Sequence, residues 1–529
     1  RHLRGEQIVG RVRFRLARPT PDLRPAPPTR RPAAPWVTPA ARAPSFDAPE
    51  TFTFLNETHG LAEIGWDDPA IAKLWRYNLH YFDDLAAAGA AARRTDHSAL
   101  ITRWIAENPP ARGTGWEPYP ASLRIISWIK WLMAGASPVP GMLDSLAAQI
   151  RWLTQRLEWH LLGNHLFINA KALLLAGLFF DGEEAAGWRA TAIAILEREL
   201  PEQILADGGQ FERSPMYHAL ALEDVLDLIN ALSTFGTPGR GEQRLDKRLR
   251  DIAPGMLRWL RAMVFPDGGV THFNDSADGI APPVAEIERY AAALGLTAEA
   301  IDGGTTHLAD SGYVRLAAGR AIAWLDVGPI GPDYLPGHAH ADTLSFELAV
   351  DGQAVIVNGG TSCYGLGEQR LIERGTAMHN SVQLDDHDSS EVWSGFRVGR
   401  RARPFTVRVE EGRVEAAHDG YRFLPGRPVH RRRWELSDDG LLVEDRVDPP
   451  FAGAVARYRL APGLTAEPAA TGWIVRSGDR HLATVEVEGA TVEWQVSEHA
   501  PEFGVRQPVQ LMCCTMTDGR CVTRWLWAG

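Results

Sequence analysis

Cysteine is scarce in this 529-residue chain: Cys363, Cys513, Cys514 and Cys521 are the full set. They form no CxxC pair and no disulfide framework, and are read as structural or incidental. No run of about 18 apolar residues occurs, so no membrane-spanning helix is expected. Basic charge is also short, with 55 Lys and Arg against 66 Asp and Glu, a net charge of −11. That balance argues against nucleic acid as a partner, while a local basic cleft for an acidic polysaccharide stays compatible with it. No nucleophile elbow, phosphate-binding loop or dinucleotide fingerprint is found, which removes those enzyme classes. The first 45 residues carry ten arginines and many prolines, opposed by Glu6 and Asp22 alone. They lack an apolar run of signal-peptide type: either a leader has been removed or the protein is not exported by that route. The expected location is periplasmic or extracellular, with the cytoplasm as the alternative.

Hydrophobic residues make up 45% and charged residues 23% of the chain, the composition of a folded globular protein. The length calls for two or three domains. Before residue 305, Leu, Ile, Ala and Trp recur at three- and four-residue spacing, predicting helices near 70–90, 96–107, 121–135, 141–160, 165–180, 184–200, 215–234, 246–264 and 284–296. After it the period becomes two, as in Tyr313–Leu316, Ala321–Leu325, Ala354–Val357 and Thr484–Val487, with Asp-Gly turns between runs. The reading is a basic, Pro-rich lead-in (1–45), a helical domain (46–304) and an antiparallel β-sandwich domain (305–529). Of the 18 tryptophans most are expected in the core; one in a groove would stack on a sugar ring, and Trp116 is the candidate.

Three stretches carry possible chemistry. Gly337-His338-Ala339-His340-Ala341-Asp342 leads into an alternating strand, so its two imidazoles are expected on one face. They could move protons or bind metal, although a plain hydrogen-bonded histidine pair reads equally well. Asn164-His165 opens an apolar helix where ordinary capping would also explain them. Gln210–His218 ends in a helix start at Pro215, placing Tyr217 on the face of Leu220 and Asp224. Arg213 and His218, which flank Tyr217, are candidates for substrate contact, and Gly208-Gly209 is expected to turn this loop to the surface. His340, Asn358 and His379 lie in separate segments and each offers one N or O donor, a set of zinc type except that Asn358 brings no charge. Glu212, Asp224, Asp267 and Asp275 are available carboxylates, but nothing pairs two of them as in a glycosidase.

Taken in order, the Asn164-His165 helix, Phe211–His218, the GHAHAD segment, Asn358–Thr361 and His379-Asn380 resemble the heparinase II/III family of polysaccharide lyases over about residues 70–520. The resemblance implies an incomplete (α/α) toroid followed by an antiparallel β-sandwich. It implies β-elimination at a uronic acid in an acidic polysaccharide, with Asn164 and His165 holding the carboxylate, Tyr217 as acid and His338 as base. A positive neighbour, Arg213 or His165, would then be needed to lower the Tyr217 hydroxyl from about 10 if it also served as base. The resemblance further implies a structural divalent ion, zinc in particular, on His340 and His379; the family's usual Asp is Asn358 here, and Asp342 would have to compensate. The basic, Pro-rich start is similar to members linked to bacterial exopolysaccharide. The alternatives are a glycoside hydrolase on the same toroid and a non-catalytic glycan-binding or assembly protein.

Overall fold

The computed structural model describes residues 3–237 and 239–528. The helical half follows the periodicity closely. Its helices are Lys73–Tyr81, Arg94–Glu107, Pro118–Met133, Met142–Gln155, Gly163–Phe179, Glu183–Gln203, Pro215–Phe235, Arg240–Ala262 and Val284–Ala293. The Gly163–Phe179 helix is apolar nearly all round, and from Leu166 onward every residue is buried, as suits an inner element with neighbours on each side. Arg240–Ala262 shows the opposite pattern, with Leu245, Leu249, Met256, Leu257 and Leu260 on one buried stripe and arginines on the other face.

The β half contains five-, eight- and four-stranded antiparallel sheets. A meander runs Gly304–Leu308, Tyr313–Ala318, Ala321–Asp326, Phe346–Val350 and Gln353–Ile356. The 313–318 and 321–326 strands agree with the period-two reading. GHAHAD itself does not belong to a strand: residues 337–345 are loop, Leu344 has a positive φ of 62°, and the strand begins only at Phe346. The Phe346–Val350 strand is buried on both faces, so its alternation carries no information about which side meets solvent.

The lead-in has more structure than its composition suggested. Gly5–Leu16 is a helix tied down by Arg198 to Glu6 (2.9 Å) and by an Arg4–Glu202 ion pair. The following strap crosses the helical half, where the Arg30 amide bonds the Phe179 carbonyl (2.8 Å) and the Ala33 amide the Thr234 carbonyl (2.7 Å). Proline suits such a strap because it removes an N–H that would otherwise need a partner.

The two halves are joined by the polar segment Thr271–Asp278. The Asp275 amide donates to the His338 carbonyl (2.9 Å), the His340 amide to Asn274 Oδ1 (2.9 Å), and the His272 amide to Glu347 (2.9 Å). Trp324 Nε1 reaches back to the Ala262 carbonyl (2.7 Å) and Trp259 Nε1 to Ser311 Oγ (2.9 Å). The Gly208 turn belongs to this joint and does not reach the surface as expected: a Cβ there would lie 2.3 Å from the Gly255 carbonyl oxygen. Only glycine permits that approach, at φ +91°.

Burial holds several histidines neutral, pushing His80 and His499 down to about 3 and His218 to about 4. The unfolded chain protonates these rings below about pH 6.5, so it binds more protons in that window and stability falls as pH drops from about 6.5 toward 4, by up to about 1.4 kcal/mol per pH unit for each ring. Thermal unfolding midpoints should decline steadily across this range; a midpoint that stays level from neutral pH to about 4 would contradict the assignment.

Candidate active-site cleft between the helical and β halves

A cleft of about 1580 Å³ opens between the helical ring and the β half, with Asn164, His165, Glu212, Tyr217, His338 and Tyr364 on its walls. Each arrives by a local rule. Leu162 and Gly163 take positive φ values (66° and 55°) and turn the chain into the 163–179 helix, so Asn164 and His165 fall on its first turn. Ser214 caps the next helix by accepting from the Tyr217 amide (3.1 Å), and Pro215 occupies the first helical position. Tyr217, Leu220 and Asp224 then share the cleft face, following the expected helical spacing.

The organising group is Asp275, wholly buried and gripped through two nitrogens by Arg370, one at 2.6 Å. Burial would raise its carboxyl, but Arg370 and hydrogen bonds from His338 and His340 hold it well below the usual carboxylate range. A carboxylate only accepts, so His338 Nδ1 (2.9 Å) and His340 Nε2 (2.8 Å) must carry the protons. The other His338 nitrogen, Nε2, which holds the lone pair in the neutral ring, sits 3.6 Å from Glu212 Oε2. The imidazoles of GHAHAD do converge on one side, as expected, but through a shared carboxylate at a loop.

Tyr217 packs on the His338 ring at a centroid distance of 4.0 Å, and its hydroxyl is 3.0 Å from that of Tyr364. Burial, together with Tyr364, raises the Tyr217 hydroxyl well above 10. The lowering that a tyrosine base would need is absent, and the geometry suits a proton donor. His165 Nδ1 lies 3.1 Å from Glu158, which raises the imidazole in spite of burial and favours the cation. Glu212 is buried, has one oxygen without a partner, and is shifted upward chiefly by burial.

Three expected substrate contacts are placed elsewhere. Trp116 is buried at 4% exposure, with its indole N–H on the Asn108 carbonyl (3.2 Å). Arg213 turns away from the cleft to the Ser311 (2.8 Å) and Asp310 (3.3 Å) carbonyls, so it supplies no charge to Tyr217. His218 is fully buried between the Gln210 amide (3.2 Å) and the Met256 carbonyl (2.9 Å). The exposed aromatics in the cleft are instead Trp393, at 50% exposure, and Phe396, at 43%. Asp275 is named in the sequence only as one of four unpaired carboxylates, and Arg370 and Tyr364 are not singled out, because they occupy segments without periodic signal; the non-periodic polar run Thr271–Asp278 is the available hint.

His340, Asn358 and His379 come close to one another without forming a metal cradle. His340 uses Nε2 on Asp275, and its Nδ1 accepts from His379 Nε2 at 3.2 Å. The Asn358 oxygen accepts from the Asn380 amide (3.2 Å), and Asp342 faces the Asn274 amide (2.9 Å). Among the described residues no group of three His, Cys, Asp or Glu side chains could hold an ion. Burial lowers both rings, and the nearby Arg370, Arg374 and Arg459 lower them further. Of the expected set only the two imidazoles are donors of zinc type, and Asn358 adds no charge; His379 Nδ1 and Asp342 Oδ1 are buried without a hydrogen-bond partner.

Residues 45–292 match the heparinase II/III N-terminus and residues 301–528 the heparinase II/III-like C-terminal domain. The chain belongs to the heparinase II/III-like family. A heparin-sulfate lyase of Bacteroides stercoris is 26% identical over 322 residues, covering 57% of this chain and 46% of that protein. One from Pedobacter heparinus is 24% identical over 249 residues, covering 43% and 36%. The chain thus spans less than half the length of these curated relatives. A solved heparinase III superposes with a TM-score of 0.62 at 18% identity, covering 91% of this chain and 82% of that one. That likeness supports the toroid-plus-sandwich fold.

If the histidine pair is held by Asp275 and not by an ion, exhaustive chelation should shift the unfolding midpoint by less than about 1 °C, well under the few degrees that loss of about 1 kcal/mol brings. Stoichiometric zinc in the purified protein, with a large drop on its removal, would contradict this.

Proposed function

We propose that the protein is a polysaccharide lyase that cleaves a uronic-acid-containing chain by β-elimination. The observation that carries this reading is the packing of His338, fixed through Nδ1 on Asp275, against Tyr217, whose hydroxyl burial keeps protonated, their rings 4.0 Å apart. The names and folds of the relatives support the class of reaction.

In this mechanism Asn164 and the His165 cation bind the uronate carboxylate, aided by the open N–H groups of the helix start. Neutralising that charge makes the C5 proton removable. His338 Nε2 takes the C5 proton, the C–H electrons form the C4–C5 double bond, and the C4–O4 bond breaks. The Tyr217 hydroxyl protonates the departing O4. The proton on His338 then has Glu212 within 3.6 Å as a way out of the cleft. A hydrolase would need two free carboxyl groups flanking the scissile bond; beside His338 and Tyr217, Asp275 is committed to Arg370 and Asp224 to Lys171, and Glu212 is left there without a carboxyl partner for that chemistry. The substrate we favour is a bacterial exopolysaccharide containing uronate, met outside the cytoplasm.

The test is to offer a panel of uronans and follow the ultraviolet absorbance of the unsaturated uronate. Tyr217→Phe should lose at least about 10²-fold in kcat while binding polysaccharide within a fewfold of wild type. Saturated product ends, or full turnover by Tyr217→Phe, would overturn the mechanism.

A further inference from the structure

The helix Gly5–Leu16 has two unlike faces. Its inner face is fixed to the helical half. Glu6 pairs with Arg198 (2.9 Å), Gln7 is buried, and the Phe14 ring lies 4.2 Å from that of His160. The Arg156 guanidinium covers Phe14 at 3.7 Å and donates to its carbonyl (2.9 Å). Gly10 allows this close docking, since a Cβ there would stand 2.9 Å from the His160 amide nitrogen. The outer face is apolar and nothing among the described residues covers it. Ile8, Val12 and Leu16 follow at four-residue spacing with Val9 beside them, and all four are 54–75% exposed. Around the helix, Arg15 borders this stripe on one side and Arg13 on the other. Both are exposed, and with Arg11 and Arg18 they form no ion pair among the described residues.

We propose that this helix lies flat on an anionic lipid surface, with Ile8, Val9, Val12 and Leu16 in the boundary between headgroups and acyl chains and Arg13, Arg15 and Arg18 on lipid phosphates. An apolar stripe between two arginine borders is the pattern of an interfacial helix, whose guanidinium groups reach up to the headgroups while its aliphatic side chains go down. The charge of the whole chain favours the same occupant. Residues 1–45 carry ten arginines against Glu6 and Asp22 in a chain of net charge −11, so an anionic surface attracts this end and repels the remainder. A second copy paired through the stripe would set arginine against arginine. Four side chains of a 12-residue helix also fall short of the roughly 800 Å² that each partner buries in a stable interface. A glycan would ask for aromatic faces to stack on, and the stripe is wholly aliphatic. The inner edge of the helix lends Gln7 and Arg11 to the cleft wall, so the docked helix holds the cleft mouth beside the lipid. Among the described residues no helix is long and apolar enough to cross a membrane, and a single short interfacial helix gives a reversible attachment.

The experiment is co-sedimentation of the full chain with phosphatidylcholine vesicles, with and without phosphatidylglycerol. At about 0.1 M salt the anionic vesicles should bind at least about tenfold more tightly than the zwitterionic ones, and raising salt to about 0.5 M should weaken that binding at least about threefold. Two double variants change the two features separately. Val12→Asp with Leu16→Asp should cost at least about tenfold in vesicle affinity, and Arg13→Gln with Arg15→Gln at least about fivefold. All four side chains are exposed, so the unfolding midpoint should stay within about 1 °C of wild type; if the aspartate pair loosens the helix, the glutamine pair still decides. Equal partition onto both vesicle types, no binding to either, or binding that the glutamine pair leaves intact overturns the proposal. A concentration-dependent dimer in sedimentation velocity that Val12→Asp with Leu16→Asp dissolves also overturns it, because the stripe would then belong to a second copy.

Discussion

A single buried carboxylate, Asp275, ties the site to the fold. It lies in the segment joining the two halves, is fully sequestered, and is balanced by Arg370 from a short helix 95 residues away. An ion pair of this kind adds little net stability compared with an apolar replacement, but removing one partner costs about 3–5 kcal/mol. The arrangement is therefore hard to alter piecemeal. Its return is positional: with Arg370 fixing both oxygens, the two remaining acceptor directions fix His338 and His340, and His338 in turn packs on Tyr217. The chemistry of the cleft depends on which nitrogen of His338 carries the proton, and Asp275 decides that.

The β half contains a second copy of the same construction. His418 Nε2 lies 3.1 Å from His430 Nδ1, His430 Nε2 is 2.6 Å from Asp445, and Arg432 grips Asp445 through two nitrogens at 2.6 and 2.9 Å. This cluster is fully buried and its residues do not line the cleft. A His–His–Asp–Arg chain is thus a way for this sandwich to satisfy buried polar groups by itself. The His379–His340–Asp275–Arg370 chain follows the same scheme, with one addition: Asp275 also accepts from His338, and His338 lines the cleft.

Much of the architecture is legible in the sequence. The helix expected over 215–234 is Pro215–Phe235, and that over 165–180 is Gly163–Phe179, because apolar spacing reports directly on which face is buried. Turn chemistry was read less well. GHAHAD looked like a strand because residues 344–348 alternate, but Leu344 takes a positive φ and the strand starts later. Side-chain direction was the least legible property. Arg213 sits four residues from Tyr217, yet its own left-handed backbone (φ 59°) swings the guanidinium toward Ser311. Trp116 is covered because the Asn108 carbonyl satisfies its one polar atom, leaving no penalty for burial. Asp275 and Arg370 acquire their meaning only from each other, and a pair so far apart in sequence leaves no periodic trace.

The central claim is that Asp275 sets the His338 tautomer, and imidazole nitrogen NMR on histidine-labelled protein tests it most directly. At neutral pH the His338 ring, assigned through His338→Gln, should show a protonated Nδ1 and a lone-pair Nε2, and Asp275→Asn should disturb that pattern. A His338 ring protonated at Nε2 in the wild-type protein, or one indifferent to Asp275→Asn, would contradict the account.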